Sequence, residues 1–290
     1  MERNRNCRIM TKLTIITINR NNAAGLERTL RSVAGQSCRD FEYIVIDGAS
    51  TDGSVEVIQR FAPVFGDRLK WVSEPDTGIY NAQNKGIRMA SGQYLEFLNS
   101  GDCLASDDVV ERMLAALDNE GSPAILYGNM LKEMTDGKLR RDKSFTGREI
   151  TMLDMYTGTL NHSPAYIRHD LFERFGLYDE SLKIVSDWKW YMEAIIIGGQ
   201  IPVYTDIDVT RFDMTGISET NKDLDKAERR KVLEDLFPKA VLSDYERYAY
   251  AMKQFDRLKR YPWAYKIVWF LERCLFKKEK REINRRSLIR

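Results

Sequence analysis

Three aspartates close short, β-branched runs. Asp47 and Asp52 follow Glu42-Tyr43-Ile44-Val45-Ile46, and Asp102 ends Asn99-Ser100-Gly101-Asp102 after Gln93-Tyr94-Leu95-Glu96-Phe97-Leu98. Carboxylates so placed could hold Mn2+ or Mg2+, hard cations that take oxygen ligands and keep positions open for phosphate oxygens. Each acid is equally what a turn beside Gly48, Gly53 or Gly101 selects, so the distinction rests on whether they converge. Lys85 and Arg20 could neutralise phosphate oxygens or stand as solvated surface cations. His162, in Leu160-Asn161-His162-Ser163-Pro164, precedes a predicted strand; a lone histidine is more often structural than catalytic. His169 reads as a surface residue at a helix entry. Asp187, in Val185-Ser186-Asp187-Trp188-Lys189-Trp190, could accept a proton from a hydroxyl, or with Ser186 could cap a helix.

The elements that must position these residues alternate. Leu13 to Ile18 reads as a buried strand ending in the polar turn Asn19-Arg20-Asn21-Asn22, and Leu26, Leu30 and Val33 recur at helical spacing before Gly35. The strand 42–47 is followed by a helix through Val55, Ile58 and Phe61. A strand at 69–72, a helix over 79–90 and a strand at 93–98 complete the series. Such alternation predicts parallel pairing with right-handed crossovers, and ligands in open sheets of this kind sit beyond the carboxyl ends of the strands. The turns after Ile18, Ile46 and Leu98 are therefore expected to line one cleft. Between 124 and 210 the alternation is irregular, with strands predicted at 163–166 and 201–204 and a helix over 188–197. After Asn221 the chain reads as helical.

Bulk properties exclude several classes. The 290 residues are 43% apolar and 30% charged, which rules out a disordered or low-complexity chain. Cys7, Cys38, Cys103 and Cys274 form no close pair, against a zinc ribbon, redox dithiol or disulfide framework. With a polar start and an opening apolar run too short for a signal peptide or membrane span, the expected location is the cytoplasm. The net charge of +2 conceals an asymmetry, since Lys253 to Arg290 carries thirteen Lys/Arg against four Asp/Glu. Its segment 257–278 interleaves aromatics with cations and reads as an interfacial helix on the inner membrane surface, against a helix packed on its own domain or on a second copy in a homo-oligomer. Nucleic acid is excluded as a partner, because the rest of the chain is acidic and carries no nucleic-acid-binding motif.

The ordered set Thr14-Ile15-Ile16-Thr17-Ile18-Asn19, Leu30-Arg31-Ser32-Val33 with Gln36-Ser37, Ile44 to Ser54, Ser73 to Ile87, Ala90 to Leu95 and Phe97 to Asp102 resembles glycosyltransferase family 2. The resemblance is dense over the first third and thinner to about residue 215. It implies an α/β GT-A fold: a Rossmann-like, mostly parallel sheet flanked by helices, with a helical C-terminal extension. The expected organisation is a catalytic domain at 1–215, with a nucleotide-binding half at 11–105 and an acceptor half at 106–215, followed by a basic amphipathic extension at 216–290. The implied activity is inverting, metal-dependent hexosyl transfer from a nucleotide-sugar to a glycan or lipid-linked acceptor in bacterial surface polysaccharide synthesis. A UDP-sugar is the first donor expected, with dTDP- and GDP-sugars as alternatives.

By the same resemblance, Thr17 and Asn19 border the base, Asp47 contacts base or ribose, and Asp76 closes the nucleotide pocket. Asp102 matches the last, metal-binding acid of an Asp-x-Asp-like motif, His162 lies by the donor phosphate or acceptor, and Asp187 is the base. Four positions depart from the pattern: Asn99 and Gly101 stand where acids are common, Asn81 replaces an Asp, and Ser186 replaces an acid. These departures keep open a non-catalytic nucleotide-sugar-binding or scaffold protein of the same fold. A dinucleotide-binding dehydrogenase is disfavoured, since no Gly-x-Gly-x-x-Gly follows the first strand.

Overall fold

The structure is a computed structural model that describes residues 11–134, 137–142, 145–214 and 221–275; of the side chains of residues 272, 274 and 275 nothing is said. The polar N-terminus through Cys7 and the basic run from Phe276 to Arg290 lie outside the described residues. The chain divides into two compact units, Met1–Val232 and Leu233–Arg290.

The first unit is built on one mixed sheet of nine strands. In chain order they are β1 (Leu13–Asn19), β2 (Glu42–Asp47), β3 (Leu69–Ser73), β4 (Tyr94–Phe97), β5 (Cys103–Leu104), β6 (Ile125–Glu133), β7 (Leu139–Asp142), β8 (Ala165–Arg168) and β9 (Pro202–Phe212). The order across the sheet is β3-β2-β1-β4-β8-β6-β9-β5, with β7 paired to β6. The helices are α1 (Ala23–Ala34), α2 (Ser54–Phe65), α3 (Ile79–Met89), α4 (Val109–Asn119), α5 (Met152–Thr157), α6 (Asp170–Phe175), α7 (Ser186–Tyr191), α8 (Lys222–Leu236), α9 (Lys239–Lys259) and α10 (Pro262–Leu275).

Strands β3, β2, β1 and β4 pair in parallel, as the alternation predicts. Both faces of β1 are covered. Leu13 and Ile15 join the core beneath α1 and α2, while Ile16 meets α3, where a Cβ on Gly86 would fall 2.5 Å from Ile16 Cγ2. Burial on two sides is why β1 carries apolar residues on both faces, Leu13 and Ile15 on one and Ile16 and Ile18 on the other, rather than on one face alone. The second half departs from simple alternation: β8 runs antiparallel to both β4 and β6, and β6 pairs in parallel with β9. Six of the nine strands thus share one direction. The strand predicted at 163–166 is observed two residues later, as β8, and the one at 201–204 extends through Phe212. The helix predicted at 188–197 starts at Ser186 as α7 and continues as a π-helix over Met192–Ile197, a widening common near functional sites.

In the second unit, α9 and α10 are joined through a Phe255–Tyr265 ring contact, centroids 5.8 Å apart. No described side chain between Lys239 and Arg273 is buried.

Candidate active site

The ends of β1, β2 and the β4–β5 turn are tied to one another by side chains. Asn19 Nδ2 donates to Asp47 Oδ1 at 2.8 Å, and Asn19 Oδ1 accepts from Ser100 Oγ at 2.8 Å. Asp47 is wholly buried and also accepts from Ser50 N at 2.9 Å and Ser73 Oγ at 2.7 Å. Burial acts to raise its carboxyl, but the hydrogen bonds from Ser50, Ser73 and Asn19 hold it below the usual range. Thr17 is buried one residue pair behind, its Oγ1 donating to Leu98 O at 2.7 Å.

Beyond this edge opens a cavity of about 680 Å3. Asn19, Asp76, Asp102, His162 and Asp187 line it; Thr17, Asp47 and Lys85 do not. Lys85 Nζ instead donates to Pro75 O at 2.9 Å and pairs with Glu74 at 2.8 Å, fixing the loop that carries Asp76. Asp76 approaches the β2 turn closely: a Cβ on Gly48 would lie 2.1 Å from Asp76 Oδ2, so a larger residue there would displace the Asp76 carboxylate. Arg20 lies 3.6 Å from Asp76.

Asp102 is 3% exposed, and its Oδ1 accepts from Asp213 N at 2.9 Å. Burial pushes its carboxyl up to about 7, the neighbouring Asp213 carboxylate adding to the effect and the Asp213 N–H, His162 and Arg28 opposing it. Gly101 has φ +107, a region L-residues rarely adopt, and a Cβ there would stand 3.0 Å from Asp213 Oδ2. The space beside the position where an acid is common thus faces a carboxylate delivered from the end of β9. Asp213 was not singled out in the sequence, although an acid directly after a strand was the available signal.

Across the cavity, His162 Nδ1 lies 3.0 Å from Asp187 Oδ2, and the Tyr80 hydroxyl donates to Asp187 Oδ1 at 3.0 Å as well as bonding Ile184 O. His162 Nε2 faces Asn99 Nδ2 at 3.3 Å. Burial opposes charge on both partners, but the hydrogen bond and charge of the pair overcome it, lowering Asp187 and raising His162. Tyr80 adds to the lowering of Asp187. Asp187 sits in the first turn of α7 and neither it nor Ser186 caps the helix; the cap residue is Val185, and Ser186 Oγ is buried without a partner.

The site wall is completed by the start of α8. Glu228 accepts from Lys183 N at 2.8 Å and Ile184 N at 2.9 Å, and the Arg229 guanidinium lies 4.5 Å over the Trp188 ring while donating to Gly158 O at 2.9 Å. These contacts brace the chain on either side of Asp187. Among the described residues no three of His, Cys, Asp or Glu gather in a metal-holding group. Of the carboxylates lining the cavity, those of Asp102 and Asp213 come from neighbouring turns; they are hard oxygen ligands that suit Mg2+ or Mn2+ completed by water and phosphate oxygens, and do not suit a four-ligand zinc site.

A parallel first half ending in this acid-lined edge, joined to a mixed second half, is the arrangement of the GT-A fold. The profile of Glycosyl transferase family 2 matches residues 14–183, and the chain belongs to that family. It is 29% identical over 212 residues to a PGL/p-HBAD biosynthesis glycosyltransferase of Mycobacterium bovis, covering 71% of this chain and 79% of the relative. It is 30% identical over 254 residues to an uncharacterised glycosyltransferase of Mycobacterium tuberculosis, covering 87% and 86%. Among solved structures, S. aureus TarS (residues 1–349) with UDP-GlcNAc superposes with a TM-score of 0.60 at 19% identity, covering 72% of this chain and 61% of that fragment. The mannosyltransferase PcManGT of Pyrobaculum calidifontis, with GDP-Man and Mn2+, superposes with a TM-score of 0.57 at 17% identity, covering 75% and 61%. This chain spans about 60% of the length of those two solved chains, and at such identities the likeness is one of fold.

Proposed function

We propose that the protein is an inverting glycosyltransferase that moves a hexosyl group from a nucleotide diphosphate sugar, a UDP-sugar first among donors, to a hydroxyl of a glycan or lipid-linked acceptor in bacterial surface polysaccharide synthesis at the cytoplasmic side. One observation carries this reading: the Asp102–Asp213 carboxylates and the Asp187–His162 pair open onto the same cavity. In this reading Asn19 and Asp76 border the nucleotide, Asp47 acts behind Asn19 by fixing its amide, and Asp102 with Asp213 would hold Mn2+ or Mg2+. When bound, that ion would neutralise charge developing on the leaving diphosphate.

Asp187 takes the proton of the acceptor hydroxyl as its oxygen forms the new bond to the anomeric carbon; the bond from that carbon to the diphosphate oxygen breaks, and the nucleoside diphosphate leaves. Depression of the Asp187 carboxyl by His162 and Tyr80 keeps it ionised and ready to accept. His162, whose ring is held between Asp187 at Nδ1 and Asn99 at Nε2, fixes the orientation of the carboxylate.

The second reading is a non-catalytic nucleotide-sugar-binding protein, favoured by Gly101 and Ser186 at positions where acids are common. Incubation with UDP-, GDP- and dTDP-sugars and Mn2+ distinguishes the two. Slow, Mn2+-dependent release of nucleoside diphosphate is expected of the enzyme; tight binding without release would establish the second reading.

A further inference from the structure

We propose that the face of α10 turned away from α9 docks onto the headgroup region of an anionic phospholipid bilayer. At 3.6 residues per turn, Trp263, Ile267, Phe270 and Leu271 fall within about 100° of arc. These side chains are 68%, 51%, 61% and 48% exposed. Tyr265, on the opposite side of the helix, makes the ring contact with Phe255 of α9. The helix therefore spends its polar-side aromatic on its neighbour, and among the described residues its most apolar arc stays exposed, a contiguous patch of the kind that marks an interaction surface.

Length and charge choose the occupant. The apolar run of α10 is interrupted by Lys266 and Arg273, and no described helix is long and apolar enough to cross a membrane. A helix lying in the interface is the arrangement that remains, with bulky apolar side chains at the acyl boundary and cations at the lipid phosphates. Lys266 and Arg273 border the apolar arc, Arg273 standing 4.6 Å over the Trp269 ring, and Lys253, Arg257, Lys259 and Arg260 cluster at the end of α9 that leads into it. With thirteen basic and four acidic residues from Lys253 onward, this segment is attracted by anionic headgroups and repelled by a second copy of itself.

The test is co-sedimentation of the full chain with vesicles of phosphatidylcholine containing phosphatidylglycerol and with vesicles of phosphatidylcholine alone, at low and high salt. Binding to the anionic vesicles that salt weakens is expected, together with a loss of about tenfold in apparent affinity for the Trp263→Ser/Phe270→Ser chain. A second variant, Lys266→Glu/Arg273→Glu, keeps the apolar arc and should lose the preference for phosphatidylglycerol. Failure of the full chain to sediment with either vesicle, or unaltered binding by both variants, overturns the proposal. So does a wild-type dimer that the Ser variant dissociates without vesicle binding, which would give the face to a second copy.

Discussion

His162 and Asp187, 25 residues apart in the chain, meet with Nδ1 and Oδ2 separated by 3.0 Å at the wall of the cavity, while Tyr80 takes the other carboxylate oxygen. One carboxylate is thereby held from two sides, by groups from α3 and from the loop before β8.

Asp187→Asn keeps the size of the side chain and removes its capacity to accept a proton. Sugar transfer is expected to fall by at least about 10²-fold, with nucleoside diphosphate affinity nearly unchanged in a thermal-shift titration. An Asn variant with wild-type turnover would remove Asp187 from the role of base.

Tyr80→Phe removes one hydrogen bond to Asp187 without a cavity. Because that bond lowers the carboxyl, its loss raises the Asp187 pKa, and the acid limb of the pH–kcat profile should move to higher pH. A fall of about tenfold in kcat with the donor KM held constant is expected. An unmoved acid limb would show that Tyr80 serves only the Ile184 carbonyl.

Asp102 and Asp213 are expected to act as a pair. Asp102→Asn should abolish the Mn2+-dependent part of the thermal shift given by UDP, and Asp213→Asn should weaken it by about tenfold. Gly101→Ala forces a Cβ toward Asp213 Oδ2 at a backbone angle of +107° and should destabilise by about 1–3 kcal/mol, read by denaturant unfolding. An Asp213→Asn chain with wild-type Mn2+ response would leave Asp102 as the single protein ligand.

Glu96 on β4 lies outside the cavity, fully buried beside the Tyr166 hydroxyl, and burial, which Tyr166 only partly opposes, pushes its carboxyl up to about 8. A raised acid binds its proton more tightly folded than unfolded. Its contribution to stability is therefore intact below the unfolded value of about 4.3 and is lost progressively as pH rises toward 8. Glu96→Gln should raise the melting temperature by several degrees at pH 8 and leave it nearly unchanged at pH 4.5. Parallel melting curves across that range would show that the carboxyl is not the titrating group.

Local patterns sufficed where one strand and its turn carry the information. The apolar runs of β1, β2 and β4, the helical spacing of Leu26, Leu30 and Val33, and the acids at strand ends made the parallel half and its acid-lined edge legible. Short antiparallel pairing was not legible: β8 is four residues long, and nothing in Ala165–Arg168 states which neighbours it will join or in which direction.

By itself the sequence determined which residues could carry charge and protons, because side-chain chemistry and strand-end position are local properties. Only the tertiary structure decided which of them face the same space. It set Asp47 behind Asn19, turned Lys85 onto Glu74, and brought Asp213 beside Asp102 and Tyr80 against Asp187. The reason is physical: these meetings span up to 111 residues of chain, and they are fixed by how β9 and α7 pack against the sheet, which no local run of residues encodes.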